Sequence, residues 1–108
     1  MEFTFIETPV FTKIITELLD DEEYKNFQAF LARDVRRGPF IPGSGGLRKI
    51  RWGFPRRQKG KRGGIRIIYC VYLANQIYMI FAYDKNEQED LSRGQLKILR
   101  DYVKKGVI

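Results

Sequence analysis

Histidine is absent from this 108-residue sequence, and cysteine occurs once, at Cys70. The absence of imidazole excludes every mechanism in which a histidine of this chain carries a proton or binds a metal. A single cysteine allows no intramolecular disulfide, and without histidine it offers no ligand set for zinc. We therefore predict neither a metal nor a cofactor. Any catalysis must use lysine, arginine, tyrosine, serine, aspartate or glutamate side chains.

Long apolar runs are also absent. No stretch approaches the roughly 20 apolar residues of a transmembrane helix, and the first residues lack the charged and then apolar order of a signal peptide. Charged residues make up 31% of the chain and hydrophobic residues 44%, which is typical of a packed globule. The sequence thus predicts one domain over residues 1–108, located in the cytoplasm and without a membrane partner.

Acidic residues are missing from the middle of the chain. Residues 35–83 contain eleven lysines and arginines but no aspartate or glutamate, and all thirteen acids lie in the two flanking segments. The net charge of +7 is therefore concentrated in one region. A basic region without interspersed acids attracts polyanions, above all the phosphates of nucleic acids. The alternative is an ordinary solvated basic face.

Helix signals occur near both ends of the chain. Pro9 suits the first turn of a helix that follows a short alternating strand in residues 1–7. Asp20 and Glu23 form a capping box for a second helix, and Ser92 and Gln95 form another for a final helix. The sequence therefore predicts an N-terminal helical pair and a C-terminal helix.

Three further strands are predicted between these helices, over residues 47–53, 65–73 and 76–84. The last two are apolar on both faces, so the centre of the sheet should be covered on both sides. Ala74-Asn75 is predicted as the tight turn between them, and the glycine-rich residues 38–46 as a loop shaped by turn chemistry rather than a phosphate cradle. The predicted fold class is α+β in the order β-α-α-β-β-β-α, with the helical pair on an antiparallel sheet.

Basic side chains on two of the strands suggest a phosphate site. Lys49 and Arg51 alternate with Ile50, and Arg66 opens the next strand after Gly63-Gly64, so the three cations share one face if the register agrees. Cations gathered on one rigid face are costly to assemble without an anion between them. Arg66 is the strongest candidate for stabilising charge on a pentavalent phosphate.

A very basic segment, residues 56–64, joins these two strands. It is predicted either as an arm that binds RNA phosphates or as a solvated hairpin tip without a partner. The candidate RNA-binding residues are Arg48, on the strand before this segment, and Arg56, Arg57, Lys59, Lys61 and Arg62 within it.

A second polar group follows the last strand. Because a rigid strand aims the groups at its end, Tyr83, Lys85 and Glu87 are candidate catalytic residues. Tyr83 or Lys85 could transfer protons, and Glu87 could act as a base or orient Lys85. An ordinary polar turn explains the spacing equally well.

Three blocks of the sequence, taken in order, resemble the RelE superfamily of bacterial toxins, most closely its HigB-like branch. They are residues 43–51 (GSGGLRKIR), 59–69 (KGKRGGIRIIY) and 83–91 (YDKNEQEDL), and the likeness extends along essentially the whole chain. The resemblance implies a microbial RNase-like (RelE-like) fold. It also implies the toxin of a type II toxin–antitoxin system, which enters the ribosomal A site and cuts mRNA without metal. A cognate antitoxin would bind it, and operator DNA would be contacted only through the toxin–antitoxin complex.

The resemblance also implies roles for particular residues. Lys49 and Arg51 match the basic pair of the family's second strand, and Arg66 matches the arginine of its third strand. A short polar block after the last strand is matched by Lys85, Asn86 and Glu87, with Asn86 as a candidate RNA-binding residue. The identity of the general base and acid stays open. The alternative functions are a ParE-like toxin that binds DNA gyrase, on the same fold, and a plain nucleic-acid-binding module.

Overall fold

The computed structural model describes residues 2–53 and 64–105. The elements follow one another in the predicted order. They are β1 (Thr4–Glu7), α1 (Pro9–Leu18), α2 (Asp21–Arg33), β2 (Arg48–Trp52), β3 (Ile65–Tyr72), β4 (Gln76–Asp84) and α3 (Arg93–Lys104). The fold is therefore α+β, with three helices and a four-stranded sheet. Within the described part of the chain, none of the helices has both the length and the apolar character needed to cross a membrane.

The sheet has the strand order β1-β4-β3-β2 and is mixed. The β2–β3 and β3–β4 pairs are antiparallel, but β1 pairs with β4 in parallel, with Phe5 opposite Ile77. The predicted all-antiparallel sheet is thus wrong at one edge. The direction of an edge strand depends on the neighbour it pairs with, and β1 pairs with a strand about 70 residues away, which local patterning does not reveal.

One face of the sheet is covered by the helical pair. The capping box of Asp20 and Glu23 is confirmed, with the Glu23 amide 2.8 Å from Asp20 Oδ1 and the Asp20 amide 2.9 Å from Glu23 Oε1. Pro9 stands in the first turn of α1, as predicted. The core on this side combines residues of the helical pair and its connection with residues of the sheet: Phe11, Ile15, Leu19, Phe27 and Leu31 with Ile50, Ile65, Ile67, Tyr69, Ile77, Met79 and Ala82.

The opposite face of the sheet is partly covered by α3. The capping box of Ser92 and Gln95 begins this helix, as predicted. Leu99 of α3 packs in a second core with Leu47, Ile68, Ile80 and Tyr83. The predicted burial of the central strands on both faces is confirmed, and this second face is the one that carries the candidate site.

Two connections show how local chemistry shapes the chain. The β3–β4 turn comprises residues 73–75, one more than the predicted Ala74-Asn75 turn, because Leu73 leaves the strand with a φ of 59°. In the glycine-rich loop, the fully buried Ser44 hydroxyl accepts from the Leu47 amide at 3.0 Å and donates to the Ile41 carbonyl at 2.6 Å. Turn chemistry therefore accounts for this loop, as predicted.

Candidate nucleic-acid interface and catalytic site

A row of polar side chains crosses three strands on the face covered by α3. Arg51 of β2 lies directly opposite Arg66 of β3, and Arg66 lies opposite Tyr83 of β4. Lys49 precedes Arg51 by two residues and therefore points to the same face. The predicted shared face of Lys49, Arg51 and Arg66 is confirmed by this register.

Two like charges directly opposite each other destabilise an antiparallel pair. Arg51 is exposed and Arg66 is half-buried, and their strands are held in this register by the apolar pairs on either side, Ile50 opposite Ile67 and Trp52 opposite Ile65. The sheet thus places two arginines opposite each other on one face, where a bound anion would interact favourably with both.

Asp90, in the connection from β4 to α3, binds Lys49 and Tyr83 at a single oxygen. Its Oδ1 lies 3.2 Å from Lys49 Nζ, 3.3 Å from the Tyr83 hydroxyl and 2.8 Å from the Leu91 amide. The Leu91 N–H, followed by Lys49 and Tyr83, holds the pKa of Asp90 below its usual range. Asp90 is therefore ionised at neutral pH and fixes the positions of two predicted site residues.

Tyr83 is buried, and its hydroxyl group donates to Asp90. Burial, together with the charge and hydrogen bond of Asp90, raises the pKa of Tyr83 to about 12, against a smaller opposing effect of Arg66. The phenol is therefore protonated at neutral pH. It can donate a proton, but it is a poor base.

Lys85 contacts Glu89, the acidic residue that precedes Asp90. Its Nζ lies 2.9 Å from Glu89 Oε2, and its side chain is only 25% exposed. The hydrogen bond and charge of Lys85, with a smaller contribution from Arg66, lower the pKa of Glu89. Glu89 therefore interacts with both cations, with Lys85 by direct contact and with Arg66 through its charge. We call Lys49, Arg51, Arg66 and Lys85 the cation cluster.

The backbone near Lys85 is fixed by Gly64. The Lys85 amide donates to the Gly64 carbonyl at 3.0 Å, which ties the end of β4 to the start of β3. Gly64 has a φ of +61°, and a Cβ there would lie 2.5 Å from the Trp52 carbonyl oxygen. Only glycine therefore allows the three strand ends to approach so closely.

The remaining residues of the predicted polar block lie in the turn after β4. The amides of Asn86 and Glu87 donate to the side chain and the carbonyl of Asp84, at 2.8 and 2.9 Å, and both residues are exposed. Of the two alternatives given for Glu87, a base or a residue that orients Lys85, neither is tested, and the carboxylate that contacts Lys85 belongs to Glu89. The i,i+4 spacing across the turn, rather than i,i+2, brings the two side chains together.

Arg48 is not brought to the cation cluster. It alternates with Lys49 and therefore lies on the face of the helical pair, where its Nη1 donates to the Gly38 carbonyl at 2.7 Å and the Arg36 carbonyl at 3.1 Å. Its guanidinium carbon also lies 4.0 Å from the centre of the Phe40 ring. These contacts give Arg48 a structural role in holding residues 36–40 against β2.

The other predicted RNA-binding residues, Arg56, Arg57, Lys59, Lys61 and Arg62, lie outside the described residues. Their segment leaves β2 after Trp52 and returns to β3 at Gly64, so both of its ends adjoin the row of Arg51 and Arg66.

Sequence reasoning missed Glu89 and Asp90 as members of the site. The signal available was their position, since they follow the polar block and directly precede the capping box of Ser92. A search of the chain against models of protein families finds no match. The site is therefore defined by its own geometry: four cations, three of them on strands, one neutral phenol, and two carboxylates that pair with Lys49 and Lys85.

Proposed function

We propose that this protein is a toxin of the RelE/HigB-like type, a ribosome-dependent and metal-independent mRNA endonuclease that stops translation. The observation that carries the proposal is the row of Arg51, Arg66 and Tyr83 across one face of the sheet. Lys49 is connected to Tyr83 through Asp90, and Lys85 contacts Glu89, the neighbour of Asp90 in the sequence. Such an arrangement suits a scissile phosphodiester, because charge that develops on phosphate is stabilised by preorganised cations. The sequence blocks that resemble the toxin family supply the biological context.

In this proposal Arg51 and Arg66 bind the non-bridging oxygens of the phosphate, and Lys49 and Lys85 add charge at either side. The ribose 2′-oxygen attacks phosphorus and the bond to the 5′-oxygen breaks, which leaves a 2′,3′-cyclic phosphate and a 5′-hydroxyl. Tyr83 donates its proton to the leaving 5′-oxygen. The proton of the 2′-hydroxyl passes to solvent, and Tyr83 regains one from solvent after cleavage. Asp90 acts as a positioning residue for Tyr83 and Lys49.

The proposed partners are those that the resemblance to the toxin family implies. Messenger RNA in the ribosomal A site is the substrate, and a cognate antitoxin restrains the toxin in growing cells. Operator DNA is contacted only as part of the toxin–antitoxin complex.

Mapping of RNA ends after induction in growing bacteria tests this proposal. The wild-type protein should arrest growth and produce new 5′-hydroxyl ends inside translated codons, and Arg66→Ala should abolish both effects while its circular dichroism spectrum stays native. Lys25→Ala is the matched control, because Lys25 is exposed on α2, on the other side of the sheet. It should behave as wild type.

Three outcomes would contradict the proposal. Ends that are unrelated to codons would reject the dependence on the ribosome, and full cleavage by a folded Arg66→Ala protein would show that the cation cluster does not act on mRNA. Growth arrest with inhibited gyrase and intact mRNA would instead identify a ParE-like toxin.

A further inference from the structure

A cavity of about 370 Å³ opens beside the cation cluster, between the glycine-rich loop and the start of α3. Lys49 and Asp90 line it as well as the site described above, so the cavity and the site share a border. The rest of its lining includes the apolar residues Ile41, Pro42, Leu91 and Leu96. Its volume lies within the range of about 300–1,000 Å³ that is common for small-ligand sites.

Both walls of the cavity are held in place before any ligand binds. On the loop side, the Ile41 amide donates to the Leu47 carbonyl at 2.8 Å and the Lys49 amide donates to the Pro39 carbonyl at 3.1 Å. On the helix side, Leu91 and Leu96 flank the Ser92 capping box. A preformed cavity costs less conformational entropy on binding than one that must be ordered.

We propose that this cavity binds a nucleobase of the RNA whose phosphate lies at the cation cluster. The inference rests on the proposed function and adds a base-binding subsite to it. Lys49 lies one strand and two residues away from Arg66, which corresponds to about 8 Å between their Cα atoms. One nucleotide can span this distance, with its phosphate near Arg66 and its base beyond Lys49.

The chemistry of the cavity favours a base over other parts of RNA. A second phosphate would meet the ionised carboxylate of Asp90, which repels it. A base instead presents two apolar faces to Pro42 and the leucines. N–H groups on the edge of the base can donate hydrogen bonds to the Asp90 carboxylate. Asp90 is 65% exposed, so its carboxylate is accessible to such an edge.

Titrations followed by nuclear magnetic resonance test this inference directly. The probe is a trinucleotide with 2′-O-methyl riboses, which cannot be cleaved by attack of the 2′-oxygen, compared with three versions that each lack one base. Loss of one particular base should weaken binding about tenfold, as expected for a base packed against side chains. Resonances of Ile41, Leu91 and Leu96 should shift with the intact probe and not with the version that lacks this base.

A blocking variant provides a second measurement. Leu96→Phe adds a ring inside the cavity, and it should weaken binding of the intact trinucleotide about tenfold while leaving binding of the matching abasic version unchanged. Ile98→Phe adds the same ring on the exposed side of α3, where Ile98 is 60% exposed, and should change neither affinity.

Equal affinities of the wild-type protein for intact and abasic probes would overturn the inference, and so would an absence of any binding at millimolar RNA. An equal effect of Leu96→Phe on both probes would also overturn it. Mapping of RNA ends in cells tests the nuclease activity separately from the base-binding subsite. Codon-phased cleavage without base-dependent binding would reject only the subsite, and base-dependent binding without cleavage would reject only the nuclease.

Discussion

Arg51 and Arg66 lie directly opposite each other in the β2–β3 ladder, with both side chains on the same face of the sheet. Facing like charges oppose folding, because such a pair destabilises an antiparallel sheet. In the proposed function both arginines bind the ligand, since a phosphodiester between them would be attracted to each. Stability and RNA binding should therefore respond in opposite directions when one arginine is removed.

Arg51→Thr should make the protein more stable and weaken its binding to RNA. Threonine suits a strand, and the repulsion of Arg66 disappears, so the free energy of unfolding should rise by a few tenths to about 1 kcal/mol. Urea unfolding measures the first effect, and titration with a 2′-O-methyl RNA measures the second. A variant that is less stable than wild type would contradict the idea that the two charges oppose each other.

Asp90→Asn should lower the pKa of Tyr83 from about 12 toward 10. The substitution removes the negative charge that disfavours the phenolate, whereas burial, the larger cause, remains and keeps the pKa of Tyr83 above 10. Resonances of tyrosine labelled at Cζ, followed from pH 8 upward, report this titration. Asp101→Asn is the control, because Asp101 pairs with Lys97 on α3. An unchanged Tyr83 titration in Asp90→Asn would show that this contact has no electrostatic effect.

Two glycines should respond to alanine in opposite ways. Gly64→Ala requires a left-handed backbone and places a Cβ against the Trp52 carbonyl, so the free energy of unfolding should fall by at least about 1–2 kcal/mol. Gly94 lies in α3, and a Cβ there would meet only the Ser92 hydroxyl at 3.9 Å. Gly94→Ala should raise stability by up to about 1 kcal/mol. Similar effects of both substitutions on urea unfolding would contradict the role given to Gly64.

Neutralisation of the basic segment should reduce the salt dependence of RNA binding. Each phosphate contact on single-stranded RNA contributes about −0.7 to the slope of log affinity against log salt, so replacing Lys59, Lys61 and Arg62 by serine should flatten that slope by about 2. Replacing three exposed cations of the helical pair, Lys13, Lys25 and Arg33, should leave it unchanged. An unaltered slope in the first variant would remove this segment from the RNA interface.

Rules that act over a few residues were sufficient to predict the helices and to predict which face of its strand each side chain occupies. The capping boxes at Asp20 and Ser92 depend on residues three positions apart, and both occur as predicted. The alternation of Lys49 and Arg51 with Ile50 follows from strand geometry alone. The same alternation assigns Arg48 to the opposite face, so its separation from the cation cluster could have been read from the sequence.

Errors arose where contacts join distant parts of the chain. The parallel pairing of β1 with β4 and the register shift between Ile68 and Tyr69 are settled by packing across the sheet. The contact of Lys85 with Glu89 depends on how residues 84–88 turn back, which the spacing of charges does not specify. Asp90 illustrates the same point, because its partners Lys49 and Tyr83 come from two different strands.

The amino-acid sequence limits the chemistry that is available to this protein: it has no imidazole, its basic middle segment lacks acids, and its cations alternate along strands that hydrophobic patterning defines. Which of these groups come into contact depends on the packing of the strands. Strand register placed Arg51, Arg66 and Tyr83 in one row, and the connection to α3 placed two carboxylates beside them. The physical reason is that alternation and capping act over a few residues, whereas register is set by burial of the whole sheet.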